Sequence, residues 1–152
     1  MIRFGATVIA VCVAGLVGAI LNSASAADSH RVPCGDSIET TKFPFLGDSR
    51  PEYQYREVLR VVAVPPAYMQ GLATTNQTPW AYWRKQGLVV RAIGKSVTVT
   101  VPEGWRTRAA INPGNSGGPV SSLTIQGCSG SGHIGRAYAG GFYLRSPSAC
   151  VP

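Results

Sequence analysis

The stretch SVTVTV, residues 96–101, alternates without a fault: Val97, Val99 and Val101 point to one face, Ser96, Thr98 and Thr100 to the other. A period of two with β-branched residues is the mark of a half-buried strand. Working outward, VSSLTIQGC (120–128) places Leu123 and Ile125 on one face with Thr124 and Gln126 opposite, and AYAGGFYL (137–144) puts Tyr138, Phe142 and Leu144 on one side. VLRVVAV (58–64) and LVVRAI (88–93) are dense enough in β-branched residues to be central strands. Gly140 and Gly141 inside a strand signal a bulge or a close backbone approach.

Turn signals separate these runs: Pro65-Pro66, Gly94-Lys95, Pro102-Glu103-Gly104, Asn112-Pro113-Gly114 and Gly127-Cys128-Ser129-Gly130. With 18 Gly and 11 Pro in the chain, long helices have little room, and only PPAYMQGLAT and PWAYWRKQ offer a helical turn or two. The expected fold is all-β, a small single-domain β-sandwich or barrel with long Gly/Pro-rich loops. No repeat, linker or low-complexity tract interrupts it.

Residues 1–26 read as a signal peptide: Arg3 supplies a positive start, TVIAVCVAGLVGAIL an apolar core, and Ala24-Ser25-Ala26 a small-x-small cleavage pattern. The apolar core falls short of the roughly 20 residues of a membrane span. The expectation is therefore a secreted protein of the extracellular or periplasm-like envelope space, not an integral membrane protein. Residues 27–152 are expected to form one β domain, with 27–52 as an irregular N-terminal arm. The net charge of +7 favours contact with anionic wall polymer, lipid or nucleic acid. The charges are scattered, however: Arg84-Lys85 and Arg106-Thr107-Arg108 come closest to clustering, and no run reads as a nucleic-acid arm.

Three cysteines follow residue 26: Cys34, Cys128 and Cys150. An exported chain makes a disulfide the default, and no Cys-x-x-Cys or His/Cys spacing suggests zinc or haem. Cys128 and Cys150 flank the Gly-rich run leading into and out of AYAGGFYL. Their pairing is expected, closing a loop of 22 residues for roughly 3 kcal/mol of unfolded-chain entropy, with Cys34 left over. No cofactor or metal is expected of His30 or His133, which have no second ligand at a usable spacing.

AAINPGNSGGPV (109–120) resembles the active-site segment of HtrA-type trypsin-fold peptidases, whose Gly-x-Ser-Gly-Gly-Pro loop presents a nucleophilic serine. The resemblance implies Ser116 as nucleophile, with Gly114 in the oxyanion hole. Such an enzyme needs an upstream histidine as base and an aspartate to orient it. His30 is the only upstream histidine, in the N-terminal arm, and His133 lies downstream in the loop GCSGSGHIGR. Asp28, Asp36 and Asp48 all precede the first convincing strand, and Arg108 stands where the resembling peptidases carry an acid. The chain before Ser116 is also one barrel short. The simpler reading is a wide turn between a strand ending near Ile111 and one starting at Val120, with Gly117-Gly118 admitting positive φ.

A second resemblance covers roughly residues 80–152: AYWRKQGLVVRA, VPEGWRTRAAI, VSSLTIQGC and AYAGGFYLRSPSACVP are similar to a group of short exported actinobacterial proteins of unknown function. It implies a small β domain with cysteine-anchored loops and no catalytic residues. PWAYW holds Trp80, Tyr82 and Trp83, with Trp105 and Tyr68 elsewhere in loops. Exposed rings stack on sugars, so Trp80, Tyr82, Trp83 and Trp105, with Arg84, Lys85, Arg106 and Arg108, form the candidate surface for wall glycan or another anionic envelope polymer. The alternative is that two of these rings plug the core. The expected function is a secreted, non-catalytic binding module, with a serine peptidase using Ser116, or a structural or inhibitory protein that contacts another protein, as the alternatives.

Overall fold

The computed structural model describes residues 29–44, 54–66, 71–114 and 117–148. Residues 1–26, expected from sequence to be a signal peptide, and Asp28, Asp48, Tyr68, Ser116 and Cys150 lie outside them. The described residues are all-β, twelve short strands in three sheets with two single-turn 3-10 segments. β1 (His30–Val32) runs parallel to β10 (Ser122–Ile125), whose other side pairs antiparallel with β8 (Val97–Thr100). The second sheet has the order β2 (Glu39–Lys42), β11 (Ile134–Tyr138), β7 (Leu88–Arg91), β4 (Val62–Val64), β3 (Arg56–Val58). The third runs β5 (Leu72–Thr74), β6 (Tyr82–Lys85), β12 (Gly141–Leu144), β9 (Ala109–Asn112).

One apolar cluster draws on all three sheets. Leu123 and Ile125 of the first meet Val90 and Tyr138 of the second and Ala109, Ile111 and Leu144 of the third. The alternation in the sequence is what allows this: Val97 and Val99 pack on the cluster while Thr98 and Thr100 face outward, hydrogen-bonded to Thr124 at 3.1 Å and Ser122 at 3.3 Å. Between the second and third sheets two chains pass directly from one to the other. β6 and β7 are separated by Gln86-Gly87, and β11 and β12 by Ala139-Gly140; Gln86 N–H donates to Gly140 O at 2.9 Å across that corner. The glycines of AYAGG are needed for close approach: a Cβ at Gly140 would stand 2.7 Å from Asn112 O, and one at Gly141 would overlap Arg84 O.

Four expectations change. The N-terminal arm is not irregular where it is described: β1 and β2 are strands in two different sheets, because short polar segments gain order once β10 and β11 offer them a ladder. VLRVVAV is a hairpin, not one central strand. Leu59 and Arg60 turn it with φ of 51° and 56°, and Val61 N–H donates to Val58 O at 3.1 Å. PWAYWRKQ makes no helical turn; its second half is β6, paired on both sides. Finally, Cys128 is bonded to Cys34, not to Cys150, with an S–S distance of 2.08 Å and Cα atoms 5.4 Å apart. The parallel pairing of β1 with β10 brings the residues after each strand side by side, which sequence spacing does not reveal.

Candidate functional site

Three places gather the side chains singled out by sequence. The first is the 109–120 turn. β9 ends at Asn112, whose Oδ1 accepts the Gly114 N–H at 2.8 Å, and Gly114 takes φ +82° with its α-carbon against Ala139. The chain then returns to pair Val120 with Ile111 through two hydrogen bonds of 2.7 and 3.0 Å. Gly114 supplies a positive φ where the chain leaves β9; Asn115 and Ser116 lie outside the described residues. The Gly114 N–H, the candidate oxyanion donor, is already engaged by Asn112.

β1 brings His30 to this turn. Its Cε1 and Nδ1 each lie 3.5 Å from the position a Cβ would occupy on Gly117, so the imidazole packs on the return limb. His133 is exposed in the turn before β11, where its carbonyl accepts the Phe43 N–H at 2.8 Å. A cavity of about 330 Å³ adjoins the turn between Val32, Asp36, Pro113, Gly114, Tyr138 and Ala139. Tyr138 is 5% exposed, with its hydroxyl 3.3 Å from Cys128 Sγ. Burial pushes its ionisation up, the Arg136 charge opposes this, and Asp36 adds to it. The hydroxyl thus stays protonated and donates to the disulfide sulfur.

The second place is the aromatic set. Trp80 is 2% exposed and packs with Ala110, Tyr143 and Trp83 on the face of the third sheet opposite the main core. It has no ring face to offer a sugar, so of the two readings of PWAYW it fits the plug and not the platform. Trp83 is half-buried, and its Nε1 finds no hydrogen-bond partner; Tyr82 turns toward the main core. Trp105 is half-buried beneath the Arg108 guanidinium, 3.9 Å from the ring centre. Arg106 Nε donates to Val101 O and Arg108 Nη2 to Gly104 O, Arg84 is half-buried in β6, and Lys85 is exposed. Arg84 and Lys85 lie on β6 and Arg106 and Arg108 on the segment that leads into β9.

The third place was not foreseen. Between β8 and the β3–β4 hairpin opens a groove of about 600 Å³, lined by Val58, Leu59, Val61, Val62, Val64, Leu88, Val97, Val99 and Phe142, with only Gln86, Lys95, Ser96 and Thr98 as polar lining. Leu59 is 89% exposed at its mouth. The backbone edge of β8 borders it. Val101 N–H donates to Ser121 O, so in the antiparallel register the odd residues of β8 bond to β10 and the N–H and C=O of Thr98 and Thr100 point away from it. The sequence carried half the signal, the neutral alternation of 96–101. It could not show that only one side of that strand finds a partner among the described residues.

Among the described residues no helix is long and apolar enough to cross a membrane, and no group of three or more His, Cys, Asp or Glu is placed to hold a metal. Comparison of the chain with protein-family models, curated proteins and solved structures returned no match.

Proposed function

We propose that this chain is an exported, non-catalytic binding module of the cell envelope or extracellular space, and that it binds an extended polypeptide in the groove along β8. One observation carries the reading: an apolar trough of about 600 Å³ lies against a strand edge whose Thr98 and Thr100 amides face outward. A peptide strand satisfies both at once, its backbone on the edge and its alternate side chains in the trough. Titration with a lysine-flanked Val-Thr-Val-Thr-Val peptide under dilute conditions tests it. Saturable one-to-one binding that Val99→Asp abolishes is expected, and no binding at any peptide concentration would overturn the reading. Wall glycan or anionic polymer remains a partner only through Lys85, Arg106 and Arg108, since Trp80 is buried.

A second reading, a serine hydrolase using Ser116, is favoured by the His30 ring packed on Gly117. It assigns His30 as the base and Asp36, the acid lining the adjoining cavity, as the orienting group. The base must come within about 2.6–3.2 Å of the hydroxyl to act. A fluorophosphonate probe distinguishes the two readings. Stoichiometric labelling lost in both Ser116→Ala and His30→Ala establishes the hydrolase, and an unlabelled folded protein removes it.

A further inference from the structure

We infer that the occupant of the β8 edge is a second copy of this chain, docked antiparallel about a two-fold axis through Thr98. The inference rests on the groove reading above and names its partner. An unpaired strand edge is a template for another strand, and proteins usually block it with a charge, a proline or a bulge. β8 carries none of these within SVTVTV: Lys95 precedes the stretch and Pro102 follows it. Two chains of net charge +7 repel each other, and this charge-free edge is where that repulsion opposes contact least.

The register follows from which backbone groups are open. A two-fold axis through Thr98 makes Thr98 face Thr98 of the second copy and sets Ser96 opposite Thr100 in both directions. Thr98 and Thr100 point their N–H and C=O away from β10, so the Thr98 pair exchanges two hydrogen bonds at the axis and Thr100 presents its open groups to Ser96 of the second copy. Parity is also right. Val97 falls opposite Val99 of the second copy on the groove side and threonines meet on the outer side, so apolar faces apolar across the join. The neighbouring registers fail. An axis through Thr100 sets Thr98 against Pro102, which has no N–H to give. An axis through Ser96 sets Thr98 against Gly94, whose N–H is already donated to Cys128 O at 2.9 Å. The result is a continuous sheet through both copies, with a Leu59 tip standing at each end of a shared trough.

Sedimentation velocity of the purified chain over a concentration series, with charge pairs at the axis, tests this. The wild type should reach twice the monomer mass, more readily as salt screens the net charge. Thr98→Lys alone and Thr98→Glu alone each bring like charges together across the axis, and each should weaken association by about fivefold or more. Mixing the two variants should restore it, because opposite charges then meet at that one position. Hydrogen exchange at Leu123 and Ile125 checks that each variant is folded. A wild type that stays monomeric at every concentration, or a dimer indifferent to both variants, would overturn the inference. The peptide titration is read on monomer and stands or falls independently of it.

Discussion

β10 has β1 on one flank and β8 on the other, and the two flanks are finished by different means. On the β1 side the strand is parallel, Val32 is 4% exposed, and Cys34 just beyond it is bonded to Cys128 just beyond β10. His30, Asp36 and Tyr138 crowd the same side, around the 109–120 turn. On the β8 side Val97 and Val99 are only half-buried, the edge amides face outward, and the wall opposite is a hairpin with an exposed leucine at its tip. A parallel three-residue strand is a weak element alone, so the covalent bond holds the flank that hydrogen bonds could not. The other flank has a good ladder, and among the described residues its outer edge meets no partner strand; on the reading proposed above, another strand completes it.

The largest expected effect falls on the sealed flank. Replacing Cys34 and Cys128 by Ser removes a link between residues 94 apart, which loop-closure entropy values at roughly 4–5 kcal/mol. Thermal unfolding should shift down by more than about 10 °C, and hydrogen exchange should rise first in β1. If Tm moves by less than a few degrees, the covalent bond is not what holds that flank.

A matched pair of truncations compares the flanks directly. Val32→Ala empties a packed position and should cost about 2–3 kcal/mol. Val97→Ala removes the same atoms from a side chain already open to the groove and should cost below about 1 kcal/mol. Equal losses by urea titration would mean that the groove is closed in solution. In dimer the Val97 loss should grow with protein concentration, which sharpens the same comparison.

How much of this was legible follows from what alternation can encode. SVTVTV and the Leu123/Ile125 face are where their period placed them, because an inward face of a sheet must be apolar whatever its partners; AYAGGFYL instead is a corner, with Tyr138 reaching the core from β11 and Phe142 and Leu144 from β12 in another sheet. Partners are another matter. VLRVVAV reads as one strand because Leu59 and Arg60 carry no turn chemistry; a hairpin with positive φ at both central residues ordinarily uses Asn-Gly. His30, Cys34 and the short β1 looked unstructured because their order comes from β10, some ninety residues away. PWAYW left platform and plug both open because burial of Trp80 depends on a loop folding back over Ala110 and Tyr143. In each case the residue type was informative and the contact was long-range.

The Leu59-Arg60 turn gives a smaller, opposite-signed effect. Each holds a left-handed conformation that costs a branched or long side chain about 1 kcal/mol relative to Asn or Gly. Leu59→Asn with Arg60→Gly should therefore raise the urea midpoint, by up to about 2 kcal/mol of stability. The Arg91 Nη1 contact to Arg60 O is to backbone and survives the change. The same variant removes the apolar tip from the groove mouth, so peptide binding or self-association should fall while stability rises. A variant that is both more stable and equally adhesive would separate the hairpin tip from the open flank's function.

The last effect is absent at neutral pH and belongs to the sealed flank alone. Tyr138 ionises above the ordinary tyrosine value of 10.0, chiefly because burial disfavours the phenolate, with Arg136 opposing and Asp36 reinforcing. The folded chain therefore keeps this proton after the unfolded chain has lost it. Its contribution is whole below pH 10 and declines as pH rises from 10 through the folded-state value. As the phenolate forms, its hydroxyl can no longer donate to Cys128 Sγ. Urea titrations from pH 8 upward should show stability falling only past about pH 10, with amide exchange rising in β10 and β11 before β8. Tyr138→Phe should lose about 1 kcal/mol for the missing hydrogen bond but flatten that alkaline decline. Arg136→Gln should leave its onset unchanged and extend the decline to higher pH, because it raises only the folded-state value. If β8 loosens first, or the decline persists in Tyr138→Phe, the buried phenol is not what ties the sealed flank to pH.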